Sequence, residues 1–443
     1  MVLDYSRGSV GLGSLCFVSC LVFLAYTATQ NLESSLSTGT IGTTAVGVIY
    51  LSIICATPFA PKVITTLGRK WSLVLSTCTY VVFIASNLFP VWEVMIPAAV
   101  VLGIGGSIYW PTTLSLIKHF SVKHSSARDL DKDKCLDTFS SAFWGSFQVS
   151  QLLGSLLIYI IIQKGGKDAT KSQTLLAVVF TVFASLGCLS AFLLVEDVDG
   201  SAGTDALREG LEDGEDSPSE SESKLSTKQV LDLLLSPKSL LLIGVYFYNG
   251  MEQGFAWCDF TSGMVLAAYD DNEAMIGILM LCYAASNALT GSLAAQVSSS
   301  GAMTRGLIFC AAAIQSACVL CANFLFSRQK VPLYVTAVVL GAGDALLNTK
   351  IGVLLGMDFK GRKHVIMVSM WRGFTSLGCA IPFFLSGHTK IDVNVIMLAV
   401  SAAAALVLFS IYCTILNGET SEKEGVDEED VKAPMLKSGG EKE

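Results

Sequence analysis

"AVVLGIGGSIYWPTT" (residues 99–113) and "AVVLGAGDALLNTKI" (residues 337–351) are two apolar segments that share the pattern AVVLG-x-G at a constant offset of 238 residues. A second pair, "YTATQNLE" (residues 26–33) and "YNGMEQGF" (residues 248–255), aligns two polar clusters near the start of each half. The counterparts occur in the same order along the chain. This order predicts a parallel internal repeat, in which the first half of the fold is followed by a second copy of it.

Apolar runs recur through both halves. The chain has 443 residues, of which 52% are hydrophobic and 15% charged, and its mean hydropathy is +0.58. A spanning helix needs about 20 mostly apolar residues. Twelve such runs occur, at residues 9–28, 42–61, 72–90, 94–117, 139–162, 173–195, 239–259, 274–294, 304–326, 332–355, 364–386 and 391–416. The expected fold is an all-α multi-pass membrane protein with twelve transmembrane helices in the 6+6 parallel repeat of the major facilitator architecture.

Basic residues outside the spans fall mainly on one side of the membrane. With the N-terminus in the cytoplasm, the cytoplasmic segments hold 21 Lys and Arg residues and the opposite segments hold six. Because basic loops remain on the cytoplasmic side, we expect both termini to be cytoplasmic. The sequence therefore indicates an integral protein of the plasma membrane or an endomembrane, without distinguishing the two.

A long acidic segment separates the two sets of six spans. Residues 196–223 carry 11 acidic residues and one arginine, so a disordered cytoplasmic linker is expected there. This linker is either a solvated connector or a regulatory segment phosphorylated around Ser217 to Ser223. The predicted organisation is a six-helix bundle at residues 1–195, the linker at 196–236, a second bundle at 237–417 and an acidic cytoplasmic tail at 418–443.

The sequence contains no pattern that indicates catalysis. No phosphate-binding loop, metal-ligand cluster or catalytic triad is present, and the four histidines lack cysteine or carboxylate partners at ligand spacing. Nothing in the charge distribution indicates nucleic-acid binding. We therefore predict a protein that is not an enzyme, with no catalytic residues, no metal site and no cofactor.

Polar residues within the seventh predicted span are the main functional candidates. Glu252 and Asp259 fall on one helical face, with Asn249 and Gln253 beside it. A charge in the middle of the bilayer costs at least about 2.5 kcal/mol, so such groups usually face a cavity or a partner. Glu252 lies deep in the span, whereas Asp259 is expected near the outer rim and solvated.

The tenth and eleventh spans contain possible partners for Glu252. Asp344 and Asn348 are four residues apart in the tenth span, and Asp344 is expected at a depth similar to that of Glu252. Lys350 lies nearer the cytoplasm and is expected to extend its amine towards the interface. Arg372 is too deep for that and is the preferred counter-charge for Asp344 or Glu252.

The first half offers a matching set of polar residues. Gln30, Asn31 and Glu33 correspond in position to the cluster of the seventh span, although Glu33 is expected to be solvated at the rim. Gln148 and Gln151 add two amides one turn apart in the fifth span. All these groups are either interhelical hydrogen-bond clamps or the lining of a proton or cation path.

The chain resembles the uncoordinated-93-like branch of the major facilitator superfamily, and most closely its plant-type members. The similarity extends from about residue 15 to residue 415 and rests on motifs in the family's order: "YTATQNLESSL", "GSIYW", "F-x-x-SQLLG", "GMEQGFAWCDFT" and "GAGDALLNTKIG". The resemblance implies regulation or delivery of a membrane partner. Animal members are regulatory partners of two-pore potassium channels or trafficking chaperones of innate-immune receptors, and plant members are linked to potassium homeostasis.

One loop departs from the superfamily pattern G-x-x-x-D-R-x-G-R-R/K. The segment "APKVITTLGRK" keeps Gly68, Arg69 and Lys70 but has Thr65 where the aspartate belongs. This departure favours a regulator of a membrane protein such as a potassium channel. The alternative is a proton- or cation-coupled transporter that uses Glu252 and Asp344, with the amides of both halves along its path.

Overall fold

A computed structural model describes residues 8–33, 40–130, 132–165, 169–198, 227–296, 301–359 and 361–437. Within these ranges the chain is helical and has no β-strand. The α-helices are α1 (Ser9–Glu33), α2 (Ile41–Ala56), α3 (Ala60–Leu67), α4 (Arg69–Ser86), α5 (Trp92–Arg128), α6 (Lys132–Gly165), α7 (Ala169–Leu194), α8 (Thr227–Leu234), α9 (Pro237–Gly254), α10 (Leu266–Ala268), α11 (Ala274–Gln296), α12 (Gly301–Leu320), α13 (Lys330–Asp358), α14 (Gly361–Leu385) and α15 (Ile391–Lys437).

The helices agree with the expected multi-pass membrane protein. Ten helical segments among the described residues are long and apolar enough to cross a membrane. The other two predicted runs correspond to α4 and to α9, which continues directly into a π-helix at Phe255–Val265. Each of the twelve apolar runs therefore falls on a helix.

The second span is continuous but irregular. A short 3₁₀ turn at Thr57–Phe59 separates α2 from α3 and contains Pro58, which cannot donate the backbone hydrogen bond of a regular helix. α3 ends at Leu67 and is followed by Gly68, whose φ of 80° is strained for any residue with a Cβ atom. This glycine, kept from the superfamily loop, makes the turn from α3 into α4.

The same helix pairs form in both halves, as expected for a parallel repeat. In the first half α1 packs on α6 and α7, and its counterpart in the second half, α9, packs on α14 and α15. Likewise α5 packs on α2 and α4, and its counterpart α13 packs on α11 and α12. The pairing of α4 with α7 recurs as that of α12 with α15. The helical architecture therefore repeats in the order that the sequence predicts.

Two helix pairs make most of the contacts between the halves among the described residues. α6 packs against α11, where a Cβ atom on Gly277 would lie only 2.7 Å from the backbone oxygen of Ser155. α2 packs against α14, where the rings of Tyr50 and Phe383 stack with centroids 6.2 Å apart. The polar residues of the site lie beside these contacts.

Parts of the two predicted acidic segments can be compared with the structure. Residues 199–226 of the linker lie outside the described residues. The tail is helical over most of its length, because α15 continues past residue 417 to Lys437. Its acidic residues and lysines are compatible with a helix, so composition alone did not mark the end of this element.

Candidate functional site

The close packing of α9 on α14 determines which way Glu252 points. A Cβ atom on Gly250 would lie 1.9 Å from the backbone oxygen of Thr375, and one on Gly254 would lie 2.6 Å from that of Cys379. These glycines let α9 and α14 approach closely. The other face of α9, which carries Tyr248 and Glu252, is consequently directed towards α12 and α13.

Asp344 of α13 is the centre of a buried polar network. Its side chain is only 7% exposed. The carboxyl oxygens accept four hydrogen bonds: from Nε2 of Gln253 at 2.9 Å, Nδ2 of Asn348 at 2.6 Å, the hydroxyl of Tyr283 at 3.0 Å and Nδ2 of Asn287 at 2.7 Å. Each oxygen accepts two of these bonds. Such a set of donors compensates a carboxylate for the loss of water.

The network continues from Asp344 into the first half of the fold. Nε2 of Gln148 on α6 donates a 2.8 Å hydrogen bond to Oδ1 of Asn287 on α11, which in turn donates to Asp344. Gln148 is thereby the first-half residue that reaches this acid through a single intermediate. The sequence predicts Gln148 as a site residue but gives no indication of its partner.

Glu252 has fewer partners than Asp344. Its side chain is 0% exposed, and its Oε2 accepts a 3.1 Å hydrogen bond from Nε2 of Gln315 on α12. Its Oε1 has no hydrogen-bond partner among the described residues. Gln315 also donates to the backbone oxygen of Leu340 at 3.0 Å and accepts from the hydroxyl of Tyr248 at 3.3 Å. Oε1 of Glu252 shares this lack of a partner with Oε1 of Gln148 and Oδ1 of Asn249, two amide oxygens of the same network.

Glu252 and Asp344 interact with each other, as their predicted depths suggested. Their carboxyl groups repel electrostatically when both are charged. A proton or a small cation held between them would remove part of this repulsion. The pair therefore has the chemistry to bind either species.

Arg372 does not form the predicted ion pair. Among the described residues, no salt bridge within 4.0 Å connects Arg372 to Glu252 or Asp344. The charge of Asp344 attracts the guanidinium group without direct contact. The guanidinium carbon instead lies 4.4 Å from the ring centroid of Trp371, and the side chain is exposed. The aromatic ring stabilises this cation, while neutral donors already occupy both oxygens of Asp344.

Lys350 does not extend to the interface as expected. The side chain is 1% exposed, and Nζ donates a 2.9 Å hydrogen bond to the backbone oxygen of Ala294. Ala294 lies in the last turn of α11, where backbone carbonyls lack helical partners and the helix dipole favours a cation. The expectation was wrong because a buried acceptor lies closer than the membrane surface.

The predicted solvation of Asp259 and Glu33 is also wrong. Asp259, in the π-helix, is 3% exposed and accepts a 2.9 Å hydrogen bond from Nδ2 of Asn394 on α15. Glu33, at the end of α1, is 0% exposed, and neither carboxyl oxygen has a hydrogen-bond partner among the described residues. Its Oε2 would be 2.3 Å from a Cβ atom on Gly42 of α2. Packing of neighbouring helices covers both acids despite their positions near span ends.

The remaining candidates lie around this centre or apart from it. Nδ2 of Asn249 donates to Oδ1 of Asn348 at 3.4 Å, which adds Asn249 to the network. Gln30 donates to the hydroxyl of Tyr50 at 3.1 Å, and Asn31 is buried nearby in α1. Gln151 is half-buried on α6. None of these three first-half residues has a described hydrogen bond to Glu252 or Asp344.

The loop residues Gly68, Arg69 and Lys70 lie at the turn from α3 into α4. Arg69 is buried at the start of α4, and Nζ of Lys70 lies 5.8 Å from the ring centroid of Phe192 on α7. The hydroxyl of Thr65 donates to the backbone oxygen of Lys62 at 2.9 Å, a bond within its own helix.

Sequence reasoning missed three members of the network: Tyr283, Asn287 and Gln315. Tyr283 and Asn287 are four residues apart on α11, the spacing that places side chains on one helical face. Gln315 lies in an apolar stretch of α12 and faces Gly343, where a Cβ atom would be 2.3 Å from its Cδ atom. The available signal for Asn287 and Gln315 was an amide within an apolar span, whereas nothing in the sequence distinguishes Tyr283 from other aromatic residues of the spans.

Within the described ranges, no group of three or more His, Cys, Asp or Glu side chains is arranged to hold a metal ion. The site is thus composed of two acids, several amides and two tyrosines. Its polar atoms can bind a proton or a small cation, or connect helices by hydrogen bonds.

The chain as a whole is similar to known membrane proteins. Residues 37–410 match the family described as "Ion channel regulatory protein UNC-93". UNC93-like protein 3 from Arabidopsis thaliana is 30% identical over 391 residues, covering 86% of this chain and 81% of that protein. A Caenorhabditis elegans relative whose name refers to potassium channel regulation, unc-93, is 22% identical over 417 residues, covering 85% of this chain and 57% of that protein.

Solved structures of transporters share the fold. A POT family transporter in complex with a peptide conjugate has a TM-score of 0.67 at 12% identity, with 92% of this chain and 96% of that chain covered. The nucleoside transporter NupG has a TM-score of 0.63 at 12% identity, with 94% and 99% covered. These likenesses confirm the expected major facilitator fold and carry no information on substrate.

Proposed function

The chain belongs to the UNC-93 family of ion channel regulatory proteins, and we propose that it acts as a non-enzymatic membrane regulator of a potassium channel. In this function it binds a membrane-protein partner and alters the partner's activity, assembly or delivery, and it carries no ion itself. It needs no cofactor and binds no nucleic acid. The protein lies in the plasma membrane or an endomembrane. Both of its termini lie in the cytoplasm.

The observation that carries this proposal is that each carboxyl oxygen of Asp344 already accepts two hydrogen bonds. Four neutral side chains donate to its two oxygens, so the carboxylate is stabilised without an ion. One of these donors, Asn287, also connects to Gln148 in the other half. A transport site must release its ion and let the halves separate, whereas this network favours one fixed arrangement. Such a clamp suits a protein that presents a constant surface to a partner.

The superfamily loop supports the same function. In place of the missing aspartate, Thr65 makes a hydrogen bond only within its own helix, to the backbone oxygen of Lys62. It therefore provides no charged lock between helices at this position.

The test separates the effect of the protein from that of its partner. Potassium-tracer and internal-pH fluxes are measured on purified protein alone in liposomes, and potassium current is recorded from cells that express a two-pore potassium channel with and without this protein. The regulator predicts no flux in liposomes and a changed channel current in cells. Gln151→Ala serves as a control variant that should leave the current effect intact. Flux in liposomes, or an unchanged current, would contradict the proposal.

The second candidate is a proton- or cation-coupled transporter. It is supported by the partnerless Oε1 of Glu252 and by the repulsion between Glu252 and Asp344. Glu252→Gln should then abolish flux in the liposome assay while the amount of folded protein stays the same. Flux that survives this substitution would rule out Glu252 as the coupling group.

A further inference from the structure

Two cysteine side chains meet on the surface of the first half. The sulfur atoms of Cys78 on α4 and Cys188 on α7 are 3.1 Å apart, and both thiols are free. The residues are 110 positions apart in the chain, so their contact results from helix packing and not from local sequence.

The packing around the pair holds both sulfurs in place. Next to Cys188, a Cβ atom on Gly187 would lie 2.7 Å from the side chain of Val22, so α7 is pressed closely against α1. One or two turns away along the same pair of helices, the rings of Trp71 and Phe192 have centroids 5.8 Å apart. The two thiols therefore face each other across a contact that is fixed on both sides.

The pair is accessible from the hydrocarbon part of the membrane. Cys78 is exposed in the middle of α4, between the exposed apolar side chains of Leu75 and Val82. Cys188 is half-buried behind it, next to exposed Leu189. Because these surroundings are apolar, a reagent that reaches Cys78 has to be soluble in lipid.

We propose that Cys78 and Cys188 are a redox-modifiable pair that lipid hydroperoxides convert to a disulfide bond between α4 and α7. The exposed Cys78 is the thiol that the oxidant meets, and Cys188 resolves the product. A cysteine beside a second thiol can be oxidised reversibly, because the sulfenic acid formed on one condenses with the other to a disulfide.

The reaction takes place in two balanced steps. In the first, the sulfur of Cys78 attacks the terminal oxygen of the hydroperoxide. A sulfur–oxygen bond forms, the oxygen–oxygen bond breaks, and the thiol proton passes to the leaving alkoxide. The products are a sulfenic acid on Cys78 and a lipid alcohol.

In the second step, the sulfur of Cys188 attacks the sulfur of the sulfenic acid. The disulfide bond forms, the sulfur–oxygen bond breaks, and the thiol proton of Cys188 leaves with the hydroxide as water. Overall two thiols lose two electrons, and one hydroperoxide is reduced to an alcohol and water. The bond would connect two helices of the same half and leave the contacts between the halves free.

The experiment uses the full chain in phosphatidylcholine liposomes that contain linoleic acid hydroperoxide. Intact mass and peptide mapping are measured before and after exposure, and again after reduction with dithiothreitol. We expect a loss of the mass of two hydrogen atoms, a peptide that links Cys78 to Cys188, and reversal by the reductant. Cys78→Ser should show no link. Cys318→Ser, which removes a half-buried thiol elsewhere, should link as the unaltered protein does.

Three results would overturn the inference. One is folded protein in which Cys78 and Cys188 stay unlinked after exposure. Another is an equal mass loss in Cys78→Ser, since the linked thiols would then be different ones. A stable sulfenic acid on Cys78 without a link would also contradict it, because Cys188 would not be resolving the product.

Discussion

The side-chain amide of Gln148 on α6 donates a 2.8 Å hydrogen bond to Oδ1 of Asn287 on α11, and through Asn287 the first half of the fold contacts Asp344 of the second. Helices α6 and α11 form the largest contact between the halves among the described residues. The bond therefore couples the state of a buried acid to the relative position of the two bundles.

Loss of Asn287 should destabilise the protein more than loss of Gln148. Asn287→Ala removes a donor to Asp344 and the acceptor of Gln148 together, whereas Gln148→Ala leaves Asp344 with all four donors. An unsatisfied buried polar group costs about 1–3 kcal/mol, so we expect a loss of that size for Asn287→Ala and a smaller one for Gln148→Ala. Thermal unfolding in detergent measures both. Gln151→Ala on the same helix is the control, and equal losses for all three variants would contradict the network.

Neutralising the two acids should have opposite effects on stability. Asp344→Asn replaces an acceptor by a donor where Gln253 and Asn348 already donate, so we expect a loss of about 1–3 kcal/mol. Glu252→Gln retains an oxygen for Gln315 and leaves no charge for Asp344 to repel, so the melting temperature should stay the same or rise. The same unfolding assay compares them. A large loss for Glu252→Gln would show that the carboxyl group itself is needed for folding.

Gly343 should be necessary for the position of Gln315. In Gly343→Ala the new Cβ atom would lie 2.3 Å from Cδ of Gln315, which would force the amide away from Glu252. Overpacking of this kind costs about 1–3 kcal/mol. Gly356→Ala on the same helix is the matched control, because no atom lies within 4 Å of its Cβ position. The difference in melting temperature between the two variants is the measurement, and the absence of one would refute the contact.

Glu273 should make stability depend on pH. It lies in the turn before α11, outside the spans, where burial raises its pKa above the ordinary value of 4.5 and the hydrogen bond from Gln173 opposes the rise. The folded protein thus holds the proton more tightly than the unfolded chain does. The stabilisation of the folded protein that this proton provides is complete at pH values below the unfolded pKa of Glu273. It is lost as the pH rises through the folded pKa.

The variant Glu273→Gln removes this titration and keeps an oxygen for Gln173. Its melting temperature relative to the unaltered protein should therefore increase as the pH rises above 4.5. Melting temperatures of both proteins over a pH series provide the test. A difference that is constant across the series would show that Glu273 does not titrate differently in the folded state.

The fold was predictable because a membrane imposes it on the sequence. Twelve apolar runs require helices of matching length, and the shared AVVLG-x-G pattern places the fourth helix of each half in register with the other. The similar depth of Glu252 and Asp344 followed from their positions along their helices. These properties depend on position along a helix axis, which a single sequence determines well.

What could not be predicted depends on rotation about the helix axes. Gly250 and Gly343 decide how closely helices approach and which side chains then meet, and their contacts lie far away in the sequence. Arg372 and Lys350 were misassigned for the same reason: the nearest aromatic ring or carbonyl was unknown. Burial of Glu33 likewise depends on the close approach of α2, which its position near a span end does not reveal.

The π-helix at Phe255–Val265 changes the direction in which side chains point in the outer part of the span that begins with α9. A wider turn holds more residues than an α-helical one, so the residues beyond it are rotated relative to a regular continuation of α9. Deleting one residue within the segment, before Asp259, would turn the outer end by about 100°. Asp259 would then lose its alignment with Asn394. Length changes of a single residue should therefore be tolerated far less in this segment than in the loops around it.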